Sequence, residues 1–162
     1  MVVCFKQQDN QNDLNKAIEL LTEVIGFPSL NPRIQASAKL VLGDYQLMNG
    51  EIWEATLLYS QVDKAFQDDL LGQDARFRNA RLSYYTGDFT WAQSQFDVLK
   101  ASTSKFIAND ALDLSVFILD NLGLDTTPEP LKNYAKAELL SFQNQTKEAF
   151  AVLDNILKTY PD

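Results

Sequence analysis

The chain has no histidine. That removes the commonest general base, the commonest metal ligand and the side chain that titrates nearest neutral pH. Cys4 is the only cysteine, so no intrachain disulfide and no Cys-x-x-Cys zinc site is possible. As a nucleophile Cys4 would lack a histidine partner. One cysteine suits an oxidising or a reducing milieu equally, which leaves the compartment open. Basic charge is also short: 14 Lys and Arg against 22 Asp and Glu give −8. A nucleic-acid backbone or an anionic membrane surface needs concentrated Lys and Arg, so no nucleic-acid partner is expected, and the acidic balance reads as a solvated surface. No apolar run approaches the ~20 residues that span a bilayer, which argues against direct membrane insertion. The opening MVVCFKQQDNQND has too short an apolar part, with no basic residue before it, to read as a signal peptide. Glycine-rich phosphate loops and Gly-x-Ser-x-Gly elbows are missing too.

What is present is apolar material, 46% of 162 residues, which suits one domain or one compact repeat array. Its spacing is helical nearly throughout. Leu14, Ala17, Ile18, Leu21, Val24 and Ile25 recur at three- and four-residue steps, which places them on one helical face. Gly26, Phe27 and Pro28 form a stop, and Asn31 before Pro32 is a helix start with the proline at the first helical position. The same reasoning predicts helices over 12–25, 32–48, 51–65, 70–86, 88–101, 107–121, 129–143 and 146–159. Period-two alternation is nowhere sustained, so no strand is expected. GLDTTPEP, residues 123–130, is the one obvious irregular connection.

Short helices joined by short linkers call for a search for repeats. Three segments align: LGDYQLMNGEIWEATLLYSQV (42–62), NARLSYYTGDFTWAQSQFDVL (79–99) and KAELLSFQNQTKEAFAVLDNI (136–156). A small residue recurs early in the first helix (Gly43, Ala80, Ala137), and another twelve residues later in the second (Ala55, Ala92, Ala149). A large residue follows (Tyr59, Phe96, Leu153), then Val62, Leu99 and Ile156. Between the helices stand Gly50, Gly87 and Asn144, all tolerant of unusual backbone angles. Ala17, Leu21 and Val24, with Asn12 at the turn, read as a partial fourth copy whose first helix would fall in the short and polar residues 1–11.

This pattern resembles the tetratricopeptide repeat, a 34-residue helix-turn-helix unit, and Pro161 falls where that family's closing proline belongs. The resemblance covers most of the chain, with departures. Ala17, Ala55, Ala92 and Ala149 are 38, 37 and 57 residues apart, and the family's early tryptophan is absent, Trp53 and Trp91 both opening second helices. The implied fold is all-α, a right-handed superhelix of antiparallel hairpins with about eight helices. It divides into a partial repeat at 12–30, repeats at 36–69, 73–106 and 129–162, and an irregular helix and loop at 107–128, as a fragment of a longer protein.

Carboxylate pairs exist at Asp68–Asp69, Asp110 with Asp113, and Glu51 with Glu54. Their positions near predicted helix starts suit the helix dipole better than acid–base work. No enzyme, cofactor or metal site is therefore expected. The resemblance implies instead a scaffold whose first helices line a concave groove for a protein or peptide partner. Carried over residue by residue, the groove row includes Asp44, Phe77, Arg81, Tyr84, Tyr134 and Glu138. Aromatics and arginine dominate contact energy at interfaces, so Phe77, Arg81, Tyr84 and Tyr134 form the expected patch. The competing readings are that these aromatics pack between hairpins and that Arg81 pairs with a neighbouring acid. Of the first-helix cations only Arg81 reaches the groove row, so the carboxylate clamp known in this family is not supported. The alternative function is a structural or self-associating segment that presents Trp53, Tyr59 and Trp91 to another copy.

Overall fold

The computed structural model describes the backbone of residues 2–124 and 127–160, and the side chains of residues 11–122 and 127–160. Pro161 and the centre of the GLDTTPEP connection lie outside the described residues. Eight helices and no strand make up the described chain: α1 Val2–Ile25, α2 Pro32–Met48, α3 Ile52–Ala65, α4 Leu70–Tyr85, α5 Phe89–Leu99, α6 Lys105–Leu124, α7 Glu129–Phe142 and α8 Thr146–Thr159. The fold is all-α, and consecutive helices pack side by side from α1 to α6 and again at α7 with α8. The turns between α2 and α3, α4 and α5, and α7 and α8 are three residues each, short enough to make the paired helices antiparallel neighbours.

Local chemistry sets the boundaries. The Asn31 side chain accepts from the Arg33 amide at 2.9 Å, with Pro32 inside the first turn. Asp69 caps α4 through the Leu71 amide at 2.9 Å, and Asp88 caps α5 through the Trp91 amide at 3.2 Å. At the three hairpin turns Gly50, Gly87 and Asn144 all take positive φ, at 87°, 83° and 59°. That is the left-handed conformation glycine and asparagine tolerate.

Two helices differ from expectation. Helix α1 runs unbroken from Val2, so Asn12 lies inside it and no turn separates a first from a second helix. No glycine or proline interrupts residues 2–25, and nothing there stops propagation. Helix α6 begins at Lys105 and ends at Leu124, three residues longer at the C-terminal side than its apolar spacing indicated.

The repeat positions act as close-packing points. A Cβ built on Gly43 would lie 2.4 Å from the Tyr59 ring, so the ring occupies the space glycine leaves. Ala55, Ala80 and Ala92 are fully buried, and Phe96, Val62 and Leu99 nearly so. Around them one apolar cluster joins α4, α5, α6 and α7, and a second joins α2, α3 and α4. Helix α7 also packs against α4, placing Leu139 and Phe142 on the second cluster. There the Gln143 side-chain amide donates to the Leu47 carbonyl at 3.0 Å.

The Tyr59 ring cannot step aside freely, because its hydroxyl donates to Asp44 at 2.7 Å. Gly43→Ala is therefore expected to destabilise the chain by about 1–3 kcal/mol, lowering Tm by roughly 2–12 °C in calorimetry. Combining it with Tyr59→Phe, which releases the ring, should cost less than the two single losses together. An unchanged Tm in Gly43→Ala would show that the hairpin crossing is not set by this approach.

Candidate binding surface

The six residues expected to line the groove separate into two groups. Phe77 and Tyr84 are interior: Tyr84 is 1% exposed and Phe77 is also buried. Neither ring is available to a partner in this structure, which corrects the expectation that they form a surface patch. Phe77 faces α5, and Tyr84 faces α5, α6 and α7. Phe77 packs on Phe96 at 5.9 Å between ring centroids, and Tyr84 on Phe89 at 5.8 Å and Phe117 of α6 at 6.5 Å.

Asp44, Arg81 and Glu138 occupy equivalent positions on α2, α4 and α7 and stay partly exposed. Asp44 is fully engaged. It accepts from the Tyr59 hydroxyl and from the Arg78 guanidinium, while Arg78 also bonds Asp74 at 3.0 Å. This network ties α2, α3 and α4 together. The two carboxylates, outweighing the cost of burial, hold the Arg78 guanidinium above its ordinary range. Glu138 accepts from the Tyr84 hydroxyl at 2.6 Å, joining α7 to α4. Tyr134 is 39% exposed and packs one side of its ring on Phe117 at 5.3 Å.

Arg81 differs from the rest. Its guanidinium carbon lies 5.9 Å from the Phe77 centroid, 5.9 Å from Tyr85 and 5.6 Å from Phe142, a cation–π arrangement on three rings. Among the described residues it forms no ion pair with a carboxylate and no hydrogen bond within bonding distance, so the expected alternative of a simple pairing with an acid is not what the geometry holds. It opens into a cleft of about 310 Å³ edged by Asp110, Asp113 and Glu138. The two aspartates are solvent-exposed and sit in the second and third turns of α6. Because that helix starts at Lys105, the dipole explanation for them fails, the effect being confined to the first turn.

Tyr85, Asp110 and Asp113 were not expected in this cleft, nor Phe142 against Arg81. Phe77, Arg81 and Tyr85 follow one another at steps of four, a spacing that could have revealed the stacking on α4. Phe142 carries no such signal, because it arrives only when α7 packs across α4. Trp53 is 84% exposed, whereas Tyr59 is buried, so Tyr59 takes no part in a surface shared with the tryptophans. Among the described residues no group of three or more His, Cys, Asp or Glu is placed to hold a metal ion, and no helix is long and apolar enough to cross a membrane.

Burial and the Glu138 carboxylate both raise the Tyr84 pKa above its ordinary value, burial contributing more. Burial and Asp44 do the same for Tyr59. A raised folded pKa stabilises the protein fully below the unfolded value, about 10 for tyrosine, and that stabilisation is lost as pH rises above it. Tm should therefore fall steeply above pH ~10. Tyr84→Phe should lower Tm at neutral pH and make the alkaline fall shallower, with Tyr59→Phe adding to the flattening. Parallel alkaline slopes in wild type and the double variant would contradict this assignment.

No protein-family model, no curated protein and no solved structure matches the chain.

Proposed function

We propose that this chain is a non-catalytic, tetratricopeptide-like interaction scaffold that binds a protein or peptide segment at the Arg81 cleft. The observation that carries the reading is the Arg81 guanidinium itself. It is stacked on three aromatic rings, bonded to no carboxylate among the described residues, and open to a cleft. Arginine has five N–H donors and no acceptor, and a rigid fork held against rings loses little freedom when a carbonyl or carboxylate meets it. Three carboxylates around one guanidinium leave the cleft acidic. The segment that fits it presents a carbonyl to Arg81 and a Lys or Arg to Asp110 and Asp113. Binding of this kind is recognition by a preformed surface.

A second reading has one observation in its favour. Trp53 and Leu57, one turn apart on α3, are both exposed, and paired apolar residues of this size are characteristic of contact surfaces. Self-association through α3 would use them and leave the Arg81 cleft free.

Selection of peptides from a displayed random library against the purified chain tests the first reading. Selected peptides should be enriched in Lys or Arg. Arg81→Glu should weaken their binding at least tenfold by titration calorimetry, with Tm within a few degrees of wild type, while Trp53→Ala leaves it unchanged. Equal affinity for wild type and Arg81→Glu would remove the cleft from the function. A concentration-dependent dimer dissolved by Trp53→Ala would favour the second reading.

A further inference from the structure

A cleft of about 710 Å³ lies where three stretches distant in sequence meet: residues 11–17 of α1, 45–49 at the end of α2, and 143–148 at the α7–α8 turn. Small-ligand sites span roughly 300–1,000 Å³. Two hydrogen bonds join its walls. The Gln11 side-chain amide donates to Asn49 Oδ1 at 2.6 Å, tying α1 to the α2–α3 turn. The Gln143 side-chain amide donates to the Leu47 carbonyl at 3.0 Å, tying the α7–α8 turn to α2. The three walls are therefore held in register by contacts of the chain itself.

The chemistry of the walls selects the occupant. Five side-chain amides line the cleft, from Gln11, Asn49, Gln143, Asn144 and Gln145, with the carboxylates of Asp13 and Glu148 and no Lys or Arg. Helix seams elsewhere in the chain are apolar, built from residues such as Ala55, Tyr59, Ala92 and Phe96. A further helix packed here would strip water from amides and carboxylates, and each group left unpaired carries a desolvation cost. The occupant has to bring hydrogen bonds of its own. Two carboxylates without a cation repel phosphate and carboxylate ligands. Each amide sets a donor beside an acceptor, and a hydroxyl both donates and accepts, so neighbouring hydroxyls of a sugar ring satisfy either group. An extended peptide pairs its backbone along one line, at a strand edge. Here the polar groups converge from three sides, which suits a compact ring with hydroxyls around its perimeter. Tyr45 and Met48 add apolar surface for the ring's C–H groups.

We propose that this cleft binds a short neutral oligosaccharide. Asp13 and Glu148 accept from its hydroxyl pairs, and the Gln145 amide both donates and accepts at the third wall. The site shares no lining residue with the Arg81 cleft, so either can fail without the other.

The test titrates the full chain, isotope-labelled, with cellotetraose, maltotetraose, mannotetraose and xylotetraose. At least one should give saturable shifts centred on amides of residues 11–17, 45–49 and 143–148, and tetragalacturonic acid should give none. Asp13→Ala and Gln145→Ala should each weaken binding about tenfold. Both should leave Tm little changed, because Asp13 is exposed and the Gln145 side chain makes no cap bond to α8. Arg81→Glu should leave the affinity unchanged. Absence of saturable shifts with all four tetrasaccharides, or wild-type affinity in both cleft variants, overturns the proposal. So do saturable shifts from an uncharged Gly–Ser hexapeptide with none from the sugars, because the occupant would then be a peptide backbone.

Discussion

How closely two helices of a hairpin can approach governs the rest of this molecule. Gly43 admits the Tyr59 ring to a position that a single added carbon would contest. Ala80 with Ala92 and Phe96 repeats the arrangement in the next hairpin. The same crossing sets which side chains of the second helix face the next first helix, as Asp63 faces Arg76 of α4. The short repeat of small and large residues thereby fixes the pairing within a hairpin and the surface offered to its successor.

That dependence explains what the sequence made legible. Turn positions are local, so Gly50, Gly87 and Asn144 could be read as left-handed from residue type and spacing alone, and the cap at Asn31, just before Pro32, was equally plain. The small–large pattern carried the all-α fold because both members lie in one hairpin. The site was less legible. A first helix has a hairpin mate on one side and a following helix on another, and an aromatic suits either solvent-facing binding or inter-hairpin packing. Phe77 and Tyr84 therefore looked like Arg81 in sequence, yet Phe77 is packed on α5 and Tyr84 is covered by α5, α6 and α7, while Arg81 opens to a cleft. The covering of Tyr84 by Phe117 and Glu138 comes from helices more than twenty residues away, where residue spacing has no purchase.

The irregular step in the array has a structural counterpart. Helix α6 follows α5 as a first helix should, but no second helix follows it before α7 begins. Helix α7 then lies against α4, placing Glu138 on the Tyr84 hydroxyl and Phe142 on Arg81. The candidate cleft exists because of that departure. Two of its walls come from α4 and α6 and the third from α7, and a strictly regular spacing would not bring these three helices to one place.

The hydrogen bond from Gln143 to the Leu47 carbonyl spans 96 positions of sequence. In a linear stack each unit touches only its neighbours, so an end can peel away while the rest persists. Here the last hairpin grips the first complete one. Its docking closes a loop over the helices between, a non-local contact that raises the contact order above that of a simple solenoid. Under a pulling force applied at the two ends, this clasp has to open before the hairpins can unravel in sequence.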